Sequence, residues 1–347
     1  MNKPLRNKLI EANVMSESMF NEAPSGFPWY VSLLLAISGW LGGLCLLGIF
    51  FGSFYSFFQS EMASAVVSVI MLAVAQRILS APNNEFLEHL ALALSFSAQV
   101  LFVWALMPLE QLQVILFLFA LLQAGLAVIM RSMIHRVWST LSCCLALSAL
   151  LISCGFSYLL SSILLAPMVW LSLNEFRFPA LYRLVLGIKY GLVISIVLLM
   201  CIQIFRAEVE SALVSISDTT FSLPFWVAPI TYFLSIFVTA WYLFHFHQVR
   251  LNSIVAKLGG LFTILVGVLT CMAPGIGASL IILITAFANS DRVMMGLGAI
   301  ALLVYSSTYY YMMETTLLFK SGVLMSVSLV MLFSYLVFNK VLNQAKG

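Results

Sequence analysis

From Trp29 onward the chain is a succession of long apolar runs separated by short polar punctuation. The runs lack the two-residue alternation of a half-buried strand, and most are too long for a strand of any kind, so they predict helices. Twelve such segments are expected: 30–57, 63–80, 89–107, 112–130, 137–153, 156–174, 184–205, 225–246, 253–271, 275–290, 293–311 and 316–338. Most connections are short, as between antiparallel neighbours in a bundle. The exception is RAEVESALVSISDTTFSLP, which begins at Arg206 and carries Glu208, Glu210 and Asp218. The tenth segment is brief and follows Ala-Pro-Gly-Ile-Gly, which leaves two readings open, a full span or a broken, re-entrant one.

Composition says which solvent these helices face. Hydrophobic residues make up 63% of the 347 and charged residues only 8%, against about a quarter in soluble domains. Mean hydropathy is +1.08. Each run can cross a hydrocarbon core of about 30 Å, where backbone groups must be satisfied within the helix. The expected fold class is therefore all-α, a polytopic integral membrane protein of about twelve spans. It has two parts, a polar segment 1–28 and one helical domain 29–347. Residues 1–28 lack an apolar core followed by a cleavage site, so they read as a cytoplasmic segment rather than a signal peptide.

Charge placement orients the spans. With twelve of them, fourteen of the sixteen Lys and Arg residues fall on the side shared by both termini, and only Arg206 and Lys320 on the other. Basic residues resist translocation, so both termini are expected in the cytoplasm. This distribution accounts for the formal net charge of +3 without a nucleic-acid partner.

Chemistry is sparse along these runs. No span carries Asp or Glu at its centre, which counts against a carboxylate-driven proton carrier. Gln99, Gln113, Gln123, Gln203, Thr231 and Thr239 offer amides and hydroxyls for a substrate site, but more often such groups bond helix to helix. Lys189 lies about 8–9 Å into the seventh span, at 1.5 Å per residue. It sits within Gly187-Ile-Lys-Tyr-Gly191, and the expected role is a lysine that snorkels to the inner headgroups rather than a buried cation at a helix crossing. Gly187 and Gly191, like Gly39 and Gly43, have the spacing of close helix contact. Arg131, His135 and Arg136 read as a basic patch for anionic lipid. His245 and His247 point about 200° apart on a helix and cannot share a metal. The six cysteines form no Cys-x-x-Cys pair and read as apolar filler. No phosphate loop, catalytic triad or zinc helix is present, so no cofactor, metal or enzymatic activity is expected.

One polar cluster stands out near the C-terminus, in YYYMMETTLLFKSGVL, residues 309–324. It straddles the last outer connection. Tyrosines suit the membrane edge, Glu314 suits the start of a helix, and Lys320 falls about one turn inside the final span. Tyr309, Tyr310, Tyr311, Glu314 and Lys320 form a candidate outer-face partner patch; an interfacial anchor is the plainer reading. The run Tyr309-Tyr310-Tyr311 with Thr316-Leu317-Leu318 and Lys320-Ser321 resembles the C-terminal signature of a bacterial membrane family catalogued as domain of unknown function 4401. The segment Pro28–Trp40, PWYVSLLLAISGW, is similar to the start of that family; Ser328 stands where its pattern tends to Gly. The resemblance implies a multi-pass protein of the bacterial inner membrane. Its members are commonly encoded beside proteins named for a GDYXXLXY motif, which implies a partner. The expected function is a non-enzymatic membrane subunit that docks this extracytoplasmic partner, besides contacting membrane lipids; the alternative is a secondary transporter of a neutral or lipid-like solute.

Overall fold

The computed structural model describes residues 29–53, 60–80, 85–156, 159–204, 227–246, 253–272 and 274–312, with scattered positions elsewhere, several of them between 316 and 332. Among the described residues there is no strand. The helices are α1 (Trp29–Ser53), α2 (Glu61–Ser80), α3 (Glu85–Leu106), α4 (Leu112–Ile129), α5 (Met133–Ser153), α6 (Leu159–Ile163), α7 (Leu165–Leu173), α8 (Tyr182–Ile204), α9 (Val227–Phe246), α10 (Ile254–Met272), α11 (Pro274–Ala288) and α12 (Arg292–Met312). Among the described residues, five stretches, Glu61–Ser80, Phe86–Leu109, Leu112–Ile129, Met133–Ser153 and Pro179–Gln203, are long and apolar enough to cross a membrane. The expected segment 316–338 lies mostly outside the described residues.

The chain divides into two compact units, Met1–Ala105 and Leu106–Gly347. In the first, α1 meets α3 through small residues. A Cβ on Gly39 would lie 2.6 Å from the His89 Cβ, and one on Gly43 would lie 2.3 Å from the Ala93 Cβ. Two glycines four apart thus seat two residues four apart, so the backbones approach more closely than larger side chains allow. Trp40 stacks on Phe96 beside this contact, with ring centroids 5.2 Å apart. The Ser68 hydroxyl donates to the Ala98 carbonyl at 2.8 Å and joins α2 to α3.

In the second unit α8 runs through the core. Val193, Ile196 and Met200 from α8 pack with Leu165, Met168 and Val169 of α7, and with Tyr232, Ile282 and Met294 of later helices. The contact with α5 repeats the glycine device: Gly187 faces the Arg136 side chain and Gly191 faces Thr140, where added Cβ atoms would come within 2.8 and 2.5 Å.

One expected span is two helices. Segment 156–174 breaks at Leu164, between α6 and α7. Pro167 has no N–H to donate to the carbonyl of Ile163, so the helical ladder is interrupted there. Conversely α11, where a broken segment was one reading, is a continuous fifteen-residue helix. It ends in a Schellman turn: Ser290 takes a left-handed φ of 55°, the Ser290 N–H bonds to Phe287 O at 3.1 Å and the Asp291 N–H to Ala286 O at 2.9 Å.

Candidate functional site: a buried ionic centre and an aromatic patch

The Schellman turn fixes Asp291 between two helices. Its Oδ1 accepts the Val293 and Met294 amides at 3.1 Å each, so Asp291 caps the first turn of α12. The other oxygen, Oδ2, accepts the Lys189 ammonium at 2.7 Å. The Tyr190 hydroxyl donates to the same carboxylate at 3.1–3.2 Å. A second carboxylate reaches Lys189 from the opposite side in sequence: Glu175 Oε2 accepts Nζ at 2.6 Å. Glu175 opens the first of two 3₁₀ turns that follow α7, Glu175–Arg177. The Lys189 ammonium also stands 4.9 Å from the centroid of the Tyr190 ring.

Lys189 is therefore not a snorkelling lysine. It is 0% exposed, and its ammonium ends on two carboxylates rather than on headgroups. A charge held away from water requires partners of opposite sign, and here two are supplied. Burial alone would push the Asp291 carboxyl up. The Lys189 ammonium, the Met294 amide and the Tyr190 hydroxyl outweigh it and hold the group below its ordinary value of 3.8.

Further bonds tie the same corner. The Asn289 amide donates to the Ser172 carbonyl. Asn174, which closes α7, donates to the Tyr242 hydroxyl of α9 at 2.6 Å. The turn after α7, the middle of α8 and the α11–α12 corner are thus one bonded assembly. The basic patch expected around residue 135 is also altered. His135 is buried with its Nδ1 3.0 Å from the Ser139 hydroxyl, Arg136 packs on Gly187, and of the three only Arg131 is exposed.

The residues of the C-terminal cluster fall unevenly. Tyr309 lies in α12, its side chain outside the described residues, as is all of Glu314. The Lys320 N–H bonds to the Thr316 carbonyl at 3.1 Å, the spacing of one helical turn. Its ammonium stands 5.3 Å from the centroid of the Tyr310 ring. Tyr311 meets Tyr310 edge to face at 5.6 Å and is 78% exposed. Tyr310, Tyr311 and Lys320 thus make one surface.

Of the amides and hydroxyls marked in the sequence, two come together at the α6–α9 contact. The buried Tyr232 hydroxyl donates to Gln203 Oε1 at 3.0 Å and bonds to Ser161, while Ser162 donates to Thr231 at 3.2 Å. Gln99 bonds to Ser95 within α3. Thr239 instead lines an apolar cavity of about 130 Å³ between α9, α10 and α11. Among the described residues, no three His, Cys, Asp or Glu side chains gather as a metal site requires.

All-helical architecture, helices of membrane-spanning length and hydropathy, and a buried charge cluster define a polytopic helical membrane protein as the class these features fit. The chain belongs to the family described as Domain of unknown function (DUF4401), whose model matches residues 28–341. No curated protein and no solved structure matches the chain.

Proposed function

We propose that the protein is a non-enzymatic subunit of the bacterial inner membrane, with twelve spans and both termini in the cytoplasm. It docks an extracytoplasmic partner of the GDYXXLXY type. The observation that carries this reading is the Lys320–Tyr310–Tyr311 surface. A cation over one ring with a second ring at its edge is a preassembled aromatic anchor, the kind of group that dominates interface energetics. The charge asymmetry of the sequence supports an outer-face position for this surface. The ionic centre then belongs to the opposite face, where it fastens helix corners together.

Co-purification tests the docking. Tyr310→Ala and Lys320→Ala together should leave expression and melting temperature near wild type while recovery of the co-expressed partner falls at least several-fold; undiminished recovery at equal expression refutes the reading. Reporter fusions test the topology. Those after Ser60, Glu110 and Ser217 should report the periplasm, and those after Asn84, Ile134, Asn252 and Gly347 the cytoplasm. A second reading, a secondary transporter of a neutral or lipid-like solute, is favoured by one observation, the apolar cavity beside Thr239.

A further inference from the structure

The connection between α7 and α8 does not have the composition of a loop in water. Residues 176–183, FRFPALYR, are all exposed, Phe176 to 74% and Leu181 to 52%. Two short 3₁₀ turns, Glu175–Arg177 and Pro179–Leu181, fold the connection, and the rings of Phe176 and Tyr182 stack across it with centroids 6.3 Å apart. At one end Glu175 is fixed on Lys189, and at the other Tyr182 begins α8, so this aromatic surface is anchored from both sides. Aromatic side chains at the end of a membrane helix suit the headgroup layer, where a ring meets apolar chains and water together.

Arginines gather at the same place. Arg177 and Arg183 are exposed within the connection. Helices α5 and α8 run parallel, since Arg136 meets Gly187 and Thr140 meets Gly191. Arg183 precedes Gly187 by one turn on the same face of α8. The contact therefore brings Arg136 beside it, close enough for the two guanidiniums to repel each other. Among the described residues both ion pairs belong to Lys189, and Arg136, Arg177 and Arg183 are not matched by a carboxylate. An anion from outside would relieve that repulsion, and a guanidinium offers phosphate oxygens paired N–H donors.

We propose that the α7–α8 connection and Arg136 form a binding site for an anionic phospholipid, with its phosphate-bearing headgroup between Arg136 and Arg183 and its chains against Phe176 and Tyr182. The aromatic surface is what commits the site to a lipid, because a free phosphate gains nothing from it. The arginines select the anionic kind: the choline of a zwitterionic lipid brings a further cation to a place that already holds three. Basic residues at the end of a membrane helix attract anionic headgroups. The inference goes beyond the docking reading. It concerns headgroup selectivity alone, so it does not depend on which side of the membrane the connection faces or on partner recovery.

Native mass spectrometry of the purified full chain, titrated with phosphatidylglycerol or with phosphatidylcholine of the same acyl chains, measures the preference. Wild type should bind the anionic lipid about ten-fold more tightly. Arg136→Gln with Arg183→Gln should reduce that preference to about two-fold or less. Arg77→Gln with Lys257→Gln, which removes two exposed charges from other helices, should leave it unchanged. Phe176→Ser should weaken both lipids alike and keep the preference. Melting temperature in phosphatidylcholine checks that each variant is folded. If the Arg136 and Arg183 double variant is not, Arg183→Gln alone should lower the preference about three-fold. Equal affinity for the two lipids in wild type would overturn the inference. So would a preference that survives loss of the arginine pair, or one that falls as far with Arg77 and Lys257, since diffuse charge would then explain it. Two further results would contradict a lipid site: unchanged binding in Phe176→Ser, and displacement of phosphatidylglycerol by inorganic phosphate beyond that by chloride at equal ionic strength.

Discussion

Two lysines in this protein each stand over a tyrosine ring, yet their surroundings differ. The Lys189 ammonium is 4.9 Å from the Tyr190 centroid and the Lys320 ammonium 5.3 Å from that of Tyr310. A cation over an aromatic face is worth roughly 0.5–1 kcal/mol at exposed sites. That modest contact is all the two places share. Lys189 is enclosed and ends on Glu175 and Asp291, whereas Lys320 is half-buried next to a tyrosine that is mostly exposed. Burial turns the same pair of side chains from a surface contact into a fastening of the fold. The carboxylates, and not the ring, make the difference.

The comparison breaks most visibly at Lys189. Lys189→Met leaves two buried carboxylates facing each other without a cation, and removing one partner of a buried ion pair costs about 3–5 kcal/mol. Folded yield after detergent extraction should drop sharply. Neutralising the whole centre is expected to be milder: Lys189→Met combined with Glu175→Gln and Asp291→Asn should recover much of that yield, because no uncompensated charge remains. If the triple variant is as poor as Lys189→Met, the centre acts through its hydrogen bonds rather than its charge balance.

A smaller effect is expected on acidification. The Asp291 carboxyl is depressed below 3.8 in the folded protein. Its contribution is complete above that unfolded value and is lost as the pH falls through the lower folded one. Melting temperature should therefore drop on acidification below about pH 4 by more in wild type than in Asp291→Asn. Parallel curves for the two would remove Asp291 from the acid response.

The positions of the helices could be read from apolar runs, and so could the glycine contacts: Gly39 with Gly43 and Gly187 with Gly191 both seat a neighbouring helix. Lys189 could not. Depth along one helix places it within reach of the headgroups, and that distance is compatible with either role. What decides is that Glu175 and Asp291, 14 and 102 residues away, fold onto the same point. Periodicity carries no information about such convergence. Asp291 did leave a local signal, an N-capping residue directly before the helical run from Arg292. Pro167 is a local signal of the same kind for the break between α6 and α7, since a proline inside a helical run interrupts the ladder wherever it falls. The Tyr310–Lys320 contact joins residues ten apart, beyond the three- and four-residue spacings that bring side chains together on one helix.

The smallest stability effect belongs to Lys320, and setting it beside the largest tests the central claim. The decisive measurement is thermal unfolding of Lys189→Met and Lys320→Met, purified in the same detergent and compared with wild type. Lys189→Met should melt far below wild type, or fail to yield folded protein. Lys320→Met should melt within a degree or two of it, since its contact is worth under about 1 kcal/mol. Equal melting temperatures for the two variants would contradict the account, because burial between two carboxylates would then add nothing to a lysine over a ring.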